Sequence, residues 1–202
     1  AGCPLVLLNA RMSERSVAGW KKRPDTARFI LDQFDLLVTQ NQQTAANLAA
    51  MGAAADRIRP GSNLKAVSAP LPADQTTLAE LNRALGQRPV WIASSTHQGE
   101  EETVLAAHRS LLEQHPDLCL LLAPRHPQRG DAVEALIGAA GLSCARRSKG
   151  ETPAAATQVY LADTLGEVGT WYALSPMVFL GGSLREIGGH NPFEPMQAGA
   201  AV

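Results

Sequence analysis

Short unbroken apolar runs alternating with longer segments of helical period are the feature that most constrains this chain. The runs are Leu5-Val6-Leu7-Leu8, Leu36-Leu37-Val38, Val90-Trp91-Ile92-Ala93, Leu118 to Ala123, Val159-Tyr160-Leu161 and Met177-Val178-Phe179-Leu180. Between them, residues 13–33, 41–51, 77–86, 100–114, 131–140, 165–174 and 192–199 read as helical, and Ala200-Ala201-Val202 reads as the start of another strand. Strands that are apolar throughout, rather than alternating, are buried on both faces. Interleaved with helices, they make a parallel sheet covered on each side. The expected class is α/β, with Rossmann-like sheets.

Punctuation residues divide this series. Ser13 stands where an N-cap belongs, Gly52, Gly86 and Gly141 follow helical segments, and Thr77-Leu78-Ala79-Glu80 has the spacing of a capping box. Residues 66–73 carry Pro70 and Pro72 and read as an extended linker. Residues 1–65 then form the tail of one α/β unit, and residues 74–202 form most of a second. The first strand lacks a preceding partner and the last is interrupted, so the chain reads as a piece of a longer protein.

Composition removes several classes. The 202 residues are 45% hydrophobic, enough for a real core. A net charge of -1 disfavours a nucleic-acid binder, and 4% aromatics argues against a platform for stacking single strands. No apolar run approaches the ~18 residues of a membrane span, and Arg11 comes too early for a signal peptide; the piece is expected to be soluble. Cys3, Cys119 and Cys144 are odd in number and far apart, which fits a reducing compartment and buried thiols. Charge is uneven: residues 1–65 hold nine Lys/Arg against five Asp/Glu. Arg11, Arg15, Lys21, Lys22, Arg23 and Arg28 make a basic surface for an anionic partner, or simply a solvated helix face.

In an open parallel sheet, ligands bind beyond the carboxyl ends of the strands. Four loops of the second unit stand there. Ser94-Ser95-Thr96-His97-Gln98-Gly99-Glu100-Glu101 either caps a helix with acids or lets Thr96 or His97 touch a ligand. Pro124-Arg125-His126-Pro127 places a guanidinium between two prolines, suited to phosphate. Asp163-Thr164-Leu165-Gly166-Glu167 offers Asp163 or Thr164 as a cap, and Gly166 for close backbone approach to an anion. Gly181 to Pro195 carries four glycines, then His190-Asn191-Pro192-Phe193-Glu194, with Asn191 as N-cap, Pro192 at the first helical position and Glu194 placed to accept from a diol. A metal site is disfavoured because His97, His126 and His190 lie on three separate loops without ligand spacing. Neither a Walker motif, a Gly-x-Gly-x-x-Gly run nor a Gly-x-Ser-x-Gly elbow occurs.

Taken together with Asn9-Ala10-Arg11-Met12-Ser13-Glu14-Arg15-Ser16, these loops resemble, in order, the motifs of the bacterial Kdo (3-deoxy-D-manno-octulosonic acid) transferases. The resemblance covers nearly the whole chain. It implies the GT-B architecture of two Rossmann-like domains, with residues 1–65 ending the acceptor-binding domain and residues 74–202 forming most of the donor-binding domain. It implies CMP-Kdo as donor, the lipid A precursor as acceptor and the cytoplasmic face of the inner membrane as workplace, with no cofactor, metal or nucleic-acid partner. The CMP-binding positions it implies are Pro124, Arg125, Leu165, Gly166, Glu167, Asn191, Pro192, Phe193 and Glu194. The family's general base falls outside these residues, and Glu14 is not its equivalent, so the catalytic residue is unknown and the piece alone is expected to be inactive. Two other readings stay open: a GT-B enzyme using a nucleotide diphosphate sugar, and a nucleotide-binding module without catalysis.

Overall fold

In the computed structural model, which describes residues 2–67 and 69–202 (the side chains of Lys65 and Val67 excepted), the chain divides into two compact units, 1–69 and 70–202. Of the expected linker 66–73, Ser68 lies outside the described residues.

The first unit is a parallel three-stranded sheet in the order β1 (Val6–Ala10), β2 (Leu36–Thr39), β3 (Ile58–Pro60). Helices α1 (Glu14–Lys21), α2 (Pro24–Leu31) and α3 (Gln42–Ala50) connect the strands. The helix expected over 13–33 is thus two helices. Pro24 has no N–H to continue α1, so it opens α2 at its first position instead. Ser13 does cap α1, its hydroxyl accepting from Ser16 N–H at 3.2 Å. Leu31, Leu37, Leu48, Met51 and Ile58 fill the core of this unit. The six basic side chains from Arg11 to Arg28 are all exposed.

The second unit holds a parallel sheet in the order β6-β7-β5-β4-β8. Its strands are β4 (Val90–Thr96), β5 (Cys119–Pro124), β6 (Cys144–Arg146), β7 (Val159–Leu161) and β8 (Val178–Leu180). Its helices are α4 (Gln75–Leu85), α5 (Glu101–Leu112), α6 (Gly130–Ala139), α7 (Val168–Tyr172) and α8 (Phe193–Gln197). Alternate residues of each strand face opposite ways, and two cores result. On one face Ile92, Leu121, Tyr160 and Val178 pack with Leu81 and Leu85 of α4 and Trp171 of α7. On the other, Ala93, Leu120, Leu122 and Leu161 pack with Val104 and Leu105 of α5 and Val133 and Ile137 of α6. The α/β class read from the strand pattern is the one observed. Thr77, Leu81 and Leu85 recur one turn apart and are buried, which seats α4 on the sheet. Burying two such leucines contributes roughly 3–6 kcal/mol.

Several boundaries differ from the sequence reading. Asp74, not Thr77, caps α4: its carboxylate accepts from Thr77 N–H at 2.9 Å, and Thr77 lies inside the first turn. The strand β4 runs on through Ser94 and Thr96, which the sequence reading places in a loop, because Ser94 pairs with both β5 and β8 and Thr96 with β5, while Ser95 between them bulges out with φ +56°. The strand β6 has no counterpart among the apolar runs, being three residues long and ending in Arg146. Helix α7 starts only at Val168 rather than 165, with Glu167 at the cap position and no side-chain cap. Asp163 instead receives the Arg146 guanidinium at 2.6 Å. Likewise Pro192 takes the cap position of α8, although the Asn191 side chain still accepts from Phe193 N–H at 3.3 Å.

One half-buried and one fully buried polar group brace the second sheet. Arg88 donates to the carbonyls of Asp117, Ala154 and Thr157 at 2.9, 3.1 and 2.5 Å. His108, fully buried on α5, accepts at Nδ1 from the Trp91 indole at 3.1 Å. Its Nε2 faces the Gln158 carbonyl at 2.9 Å, and a carbonyl only accepts, so Nε2 carries the proton and the ring is neutral. Burial, then the charge of Arg88, push its pKa down, against the pull of the Gln158 carbonyl. A histidine depressed in the folded state keeps its contribution above the unfolded value of ~6.5 and loses it as the pH falls below that. Denaturant midpoints measured between pH 7.5 and 5 should therefore decline more steeply for the native chain than for His108→Gln; equal slopes would refute this account of His108.

Candidate functional site

All five strands of the second sheet run the same way, so their carboxyl ends share one edge. Along that edge, β7 delivers Leu165–Glu167, β5 delivers Arg125 and His126, β4 delivers His97, and β8 delivers Gly181 to Glu194. With strands ~4.8 Å apart, the loops after β7 and β8 stand about 14 Å from each other, with Arg125 and His97 between. The chain leaves β4 for α5 on one face and leaves β8 for α8 on the other, since Ala200 beyond α8 belongs to the opposite core. A crevice opens where neighbouring strands send their chains to opposite faces, and here it lies between β4 and β8.

The loops at this crevice are locked by one carboxylate. Glu100, 0% exposed, accepts from His97 N–H at 2.9 Å, Gly182 N–H at 2.8 Å and Leu184 N–H at 3.0 Å. Burial opposes its ionisation, but the amides of Gly182, Leu184 and His97, with the field of the His97 ring, outweigh burial and hold its pKa below the usual carboxylate range. Beside it Glu101, equally buried, accepts from the Thr96 hydroxyl at 3.1 Å and from both ends of the Arg129 guanidinium at 2.6 and 3.2 Å. The acids read as helix-cap charges thus serve as staples between β4, β5 and β8. Gly181 is obligatory here, because a Cβ on it would collide with the Ser95 carbonyl.

Three histidines that lie far apart in the sequence meet at the crevice. The Nε2 atoms of His97 and His190 are 2.8 Å apart, with rings 7° from parallel and centroids 5.1 Å apart. His126 stands edge-on to His97 at 5.8 Å. In the sequence they lie on three separate loops, and the parallel sheet brings those loops side by side. Even so, no cluster of three or more His, Cys, Asp or Glu among the described residues has the arrangement of a metal site.

Pro124 ends β5 opposite Thr96, and Arg125 N–H donates to the Thr96 carbonyl at 2.9 Å, leaving the exposed guanidinium at the sheet edge. The charges of Arg125 and Glu194 both act on His190, which places the two in one neighbourhood. Glu194 lies in the first turn of α8 and also bears on Tyr172, whose hydroxyl is 3.0 Å from Ser94 Oγ. Asn191, Pro192 and Phe193 lead into that turn. On the far side of Arg125, Gly166 adopts φ +82°, a left-handed conformation, in the loop before α7, and Leu165 is exposed. The Glu167 carboxylate is engaged by Arg147 at 2.6 and 3.2 Å and by the Thr164 hydroxyl. Burial raises its pKa, and these two donors more than reverse the effect. Arg147, whose guanidinium stands 6.0 Å from the centre of the Trp171 ring, was not read from the sequence, and neither was Glu100 as a staple. The one available signal for Glu100 was two adjacent acids directly after Gly99 at a strand-to-helix turn.

Residues 1–68 match a family model described as 3-Deoxy-D-manno-octulosonic-acid transferase (kdotransferase). A 3-deoxy-D-manno-octulosonic acid transferase of Haemophilus influenzae is 37% identical over 201 residues, covering 96% of this chain and 45% of the relative. The Bordetella pertussis transferase of the same name is 36% identical over 210 residues, covering 100% of this chain and 47% of the relative. The chain thus spans a little under half the length of these curated relatives. The solved C-terminal CMP-Kdo binding domain of WaaA from Acinetobacter baumannii is 42% identical with a TM-score of 0.58, covering 62% of this chain and 66% of that one.

The staple is testable without a ligand. Glu100→Gln replaces an acceptor of three N–H groups with an amide that turns a donor toward at least one of them. Loss of charged hydrogen bonds of this kind costs about 2 kcal/mol. Urea denaturation should show that loss, and amide exchange should quicken at Gly182 and Leu184; unchanged exchange at both amides would contradict the assignment.

Proposed function

Because this chain belongs to the 3-deoxy-D-manno-octulosonic acid transferase family, we propose that residues 74–202 bind the CMP-activated sugar donor of a metal-independent glycosyltransferase. The supporting observation is the convergence of Arg125, the Leu165–Glu167 loop and the first turn of α8 at the carboxyl edge of one parallel sheet. Arg125 and the backbone N–H groups of Leu165, Gly166 and Glu167 hold the CMP phosphate. Glu194 accepts from the ribose hydroxyls, and Asn191 touches the nucleotide while bonding Phe193. Pro124, Pro192 and Phe193 complete the wall. Arg147 is a positioning residue: its bond to Glu167 fixes the loop that offers the amides. Donors fixed before the reaction stabilise the charge that builds on departing CMP.

On this reading the acceptor is the lipid A precursor, and residues 1–65 end the domain that receives it, with 66–73 as the linker. Exposed basic residues on α1 and α2 suit the anionic inner-membrane face. No helix among the described residues is long and apolar enough to cross a membrane. The catalytic base lies outside these residues, so the 202-residue chain binds CMP and does not transfer sugar.

Calorimetry tests the site directly. Arg125→Ala should weaken CMP binding roughly 10–100-fold, the worth of one or two charged hydrogen bonds, with the thermal midpoint of the free protein unchanged. Unaltered CMP affinity would reject the role of Arg125. A thermal-shift series adds the choice of nucleotide: CMP should stabilise the chain and UDP should not, whereas the reverse order would favour a nucleotide diphosphate sugar donor.

A further inference from the structure

The loop after β5 carries two arginines four residues apart, and they are in opposite states. Arg125 is exposed, and among the described residues its guanidinium makes no hydrogen bond or ion pair. Arg129 is held fast: its Nη1 donates to Glu101 Oε1 at 2.6 Å and its Nη2 to Oε2 at 3.2 Å, and Glu101 is wholly buried. Drawing Arg129 away to a ligand would leave that carboxylate without its ion-pair partner, out of water. Of the two, only Arg125 is free to meet an anion. A free arginine is not by itself a site, because a long side chain on a loose backbone loses much conformational freedom when it binds. How firmly its backbone is held decides its worth.

The contacts around Arg125 close into a ring. Arg125 N–H donates to the Thr96 carbonyl at 2.9 Å. The buried Thr96 hydroxyl donates to Glu101 at 3.1 Å, and Glu101 receives both ends of the Arg129 guanidinium. Arg129 N–H donates in turn to the His126 carbonyl at 3.0 Å, closing a short 3₁₀ turn over Pro127–Arg129. Pro124 and Pro127 fix their own φ on either side of Arg125 and His126. Residues 125–129 are therefore clasped at both ends, at Arg125 by Thr96 and at Arg129 by Glu101, and the two clasps are bonded to each other. We propose that Arg129 is a positioning residue for the donor's phosphate: through Glu101 and Thr96 it holds the backbone from which Arg125 reaches the nucleotide, without touching the ligand itself. This rests on the donor reading. The grip needs a planar fork that meets both carboxylate oxygens at once, which an ammonium cannot offer. It also gives Glu101 a task apart from that of Glu100, which holds the loop after β8.

The test is a double-mutant cycle on CMP binding to the 202-residue chain, read by titration of backbone amide resonances, which follows weak as well as tight binding. Arg129→Lys keeps a charge beside Glu101 and removes the two-pronged grip. In the native background it should weaken CMP about 10-fold. In an Arg125→Ala background it should change CMP affinity less than about 2-fold, because no guanidinium remains to be placed. Amide exchange on the free protein adds a readout that needs no ligand: the Arg125 amide should exchange faster in Arg129→Lys, while those of Leu121 and Leu161 in the strands keep their native protection. Should Arg129→Lys fail to fold, Thr96→Val opens the same ring at its other clasp, with a loss of about 3-fold on CMP that also vanishes in the Arg125→Ala background. A loss that persists undiminished without Arg125 would overturn the proposal, since Arg129 would then act on CMP by itself or through the fold as a whole. Native CMP affinity in Arg129→Lys, or an Arg125 amide that exchanges at its native rate, would overturn it equally and leave the donor reading intact. Failure of the native chain to bind CMP would overturn the donor reading and this inference with it.

Discussion

Parallel strand pairing is the constraint on which the site depends. Because β4, β5, β7 and β8 all point one way, loops separated by up to about ninety residues in the chain end as neighbours along one edge. The backbone ladder fixes their order, and the two apolar cores fix their height by holding each strand on both faces. The chemistry-bearing residues sit where neither core needs them. Arg125, Gly166 and Glu194 fill no apolar gap, whereas their neighbours Ala123, Leu161 and Leu180 are buried.

A second level of order comes from buried acids. Glu100 and Glu101 are consecutive, yet they serve different partners: one ties β4 to β8 through three amides, the other ties β4 to the segment after β5 through Arg129. Asp163 and Glu167 act similarly on the opposite flank, through Arg146 and Arg147. Several donors reach each acid at once, and removing one would leave a polar group unpaired out of water. That arrangement stiffens loops that otherwise consist largely of glycine, and a stiff loop loses less entropy when a nucleotide arrives.

Apolar runs made the strands legible in the sequence, and the α/β class with them, because a run such as Leu118 to Ala123 has no other economical burial. Gly and Pro marked the ends of helices well: Gly86 and Gly141 both carry positive φ just after α4 and α6. What stayed illegible depends on contacts between distant residues. The three residues of β6 have no pattern of their own and become a strand by pairing with β7. Ser94 to Thr96 looked like a loop because they are polar, but Ser94 bonds Tyr172 and Thr96 bonds Glu101 inside the protein. Thr77 had the local spacing of a cap, and Asp74, three residues earlier, has the stronger acceptor. The histidines could not be grouped from spacing alone, since 93 residues separate His97 from His190.

The central claim is that one nucleotide monophosphate spans the loops after β5, β7 and β8. The most direct measurement is a titration of CMP into the isotopically labelled chain, followed by backbone amide resonances. The account predicts that Arg125, Leu165 to Glu167 and Phe193 to Glu194 shift together along a single binding curve, while amides at the opposite ends of the same strands stay still. Shifts confined to one of these loops, or centred on residues 1–65, would contradict it.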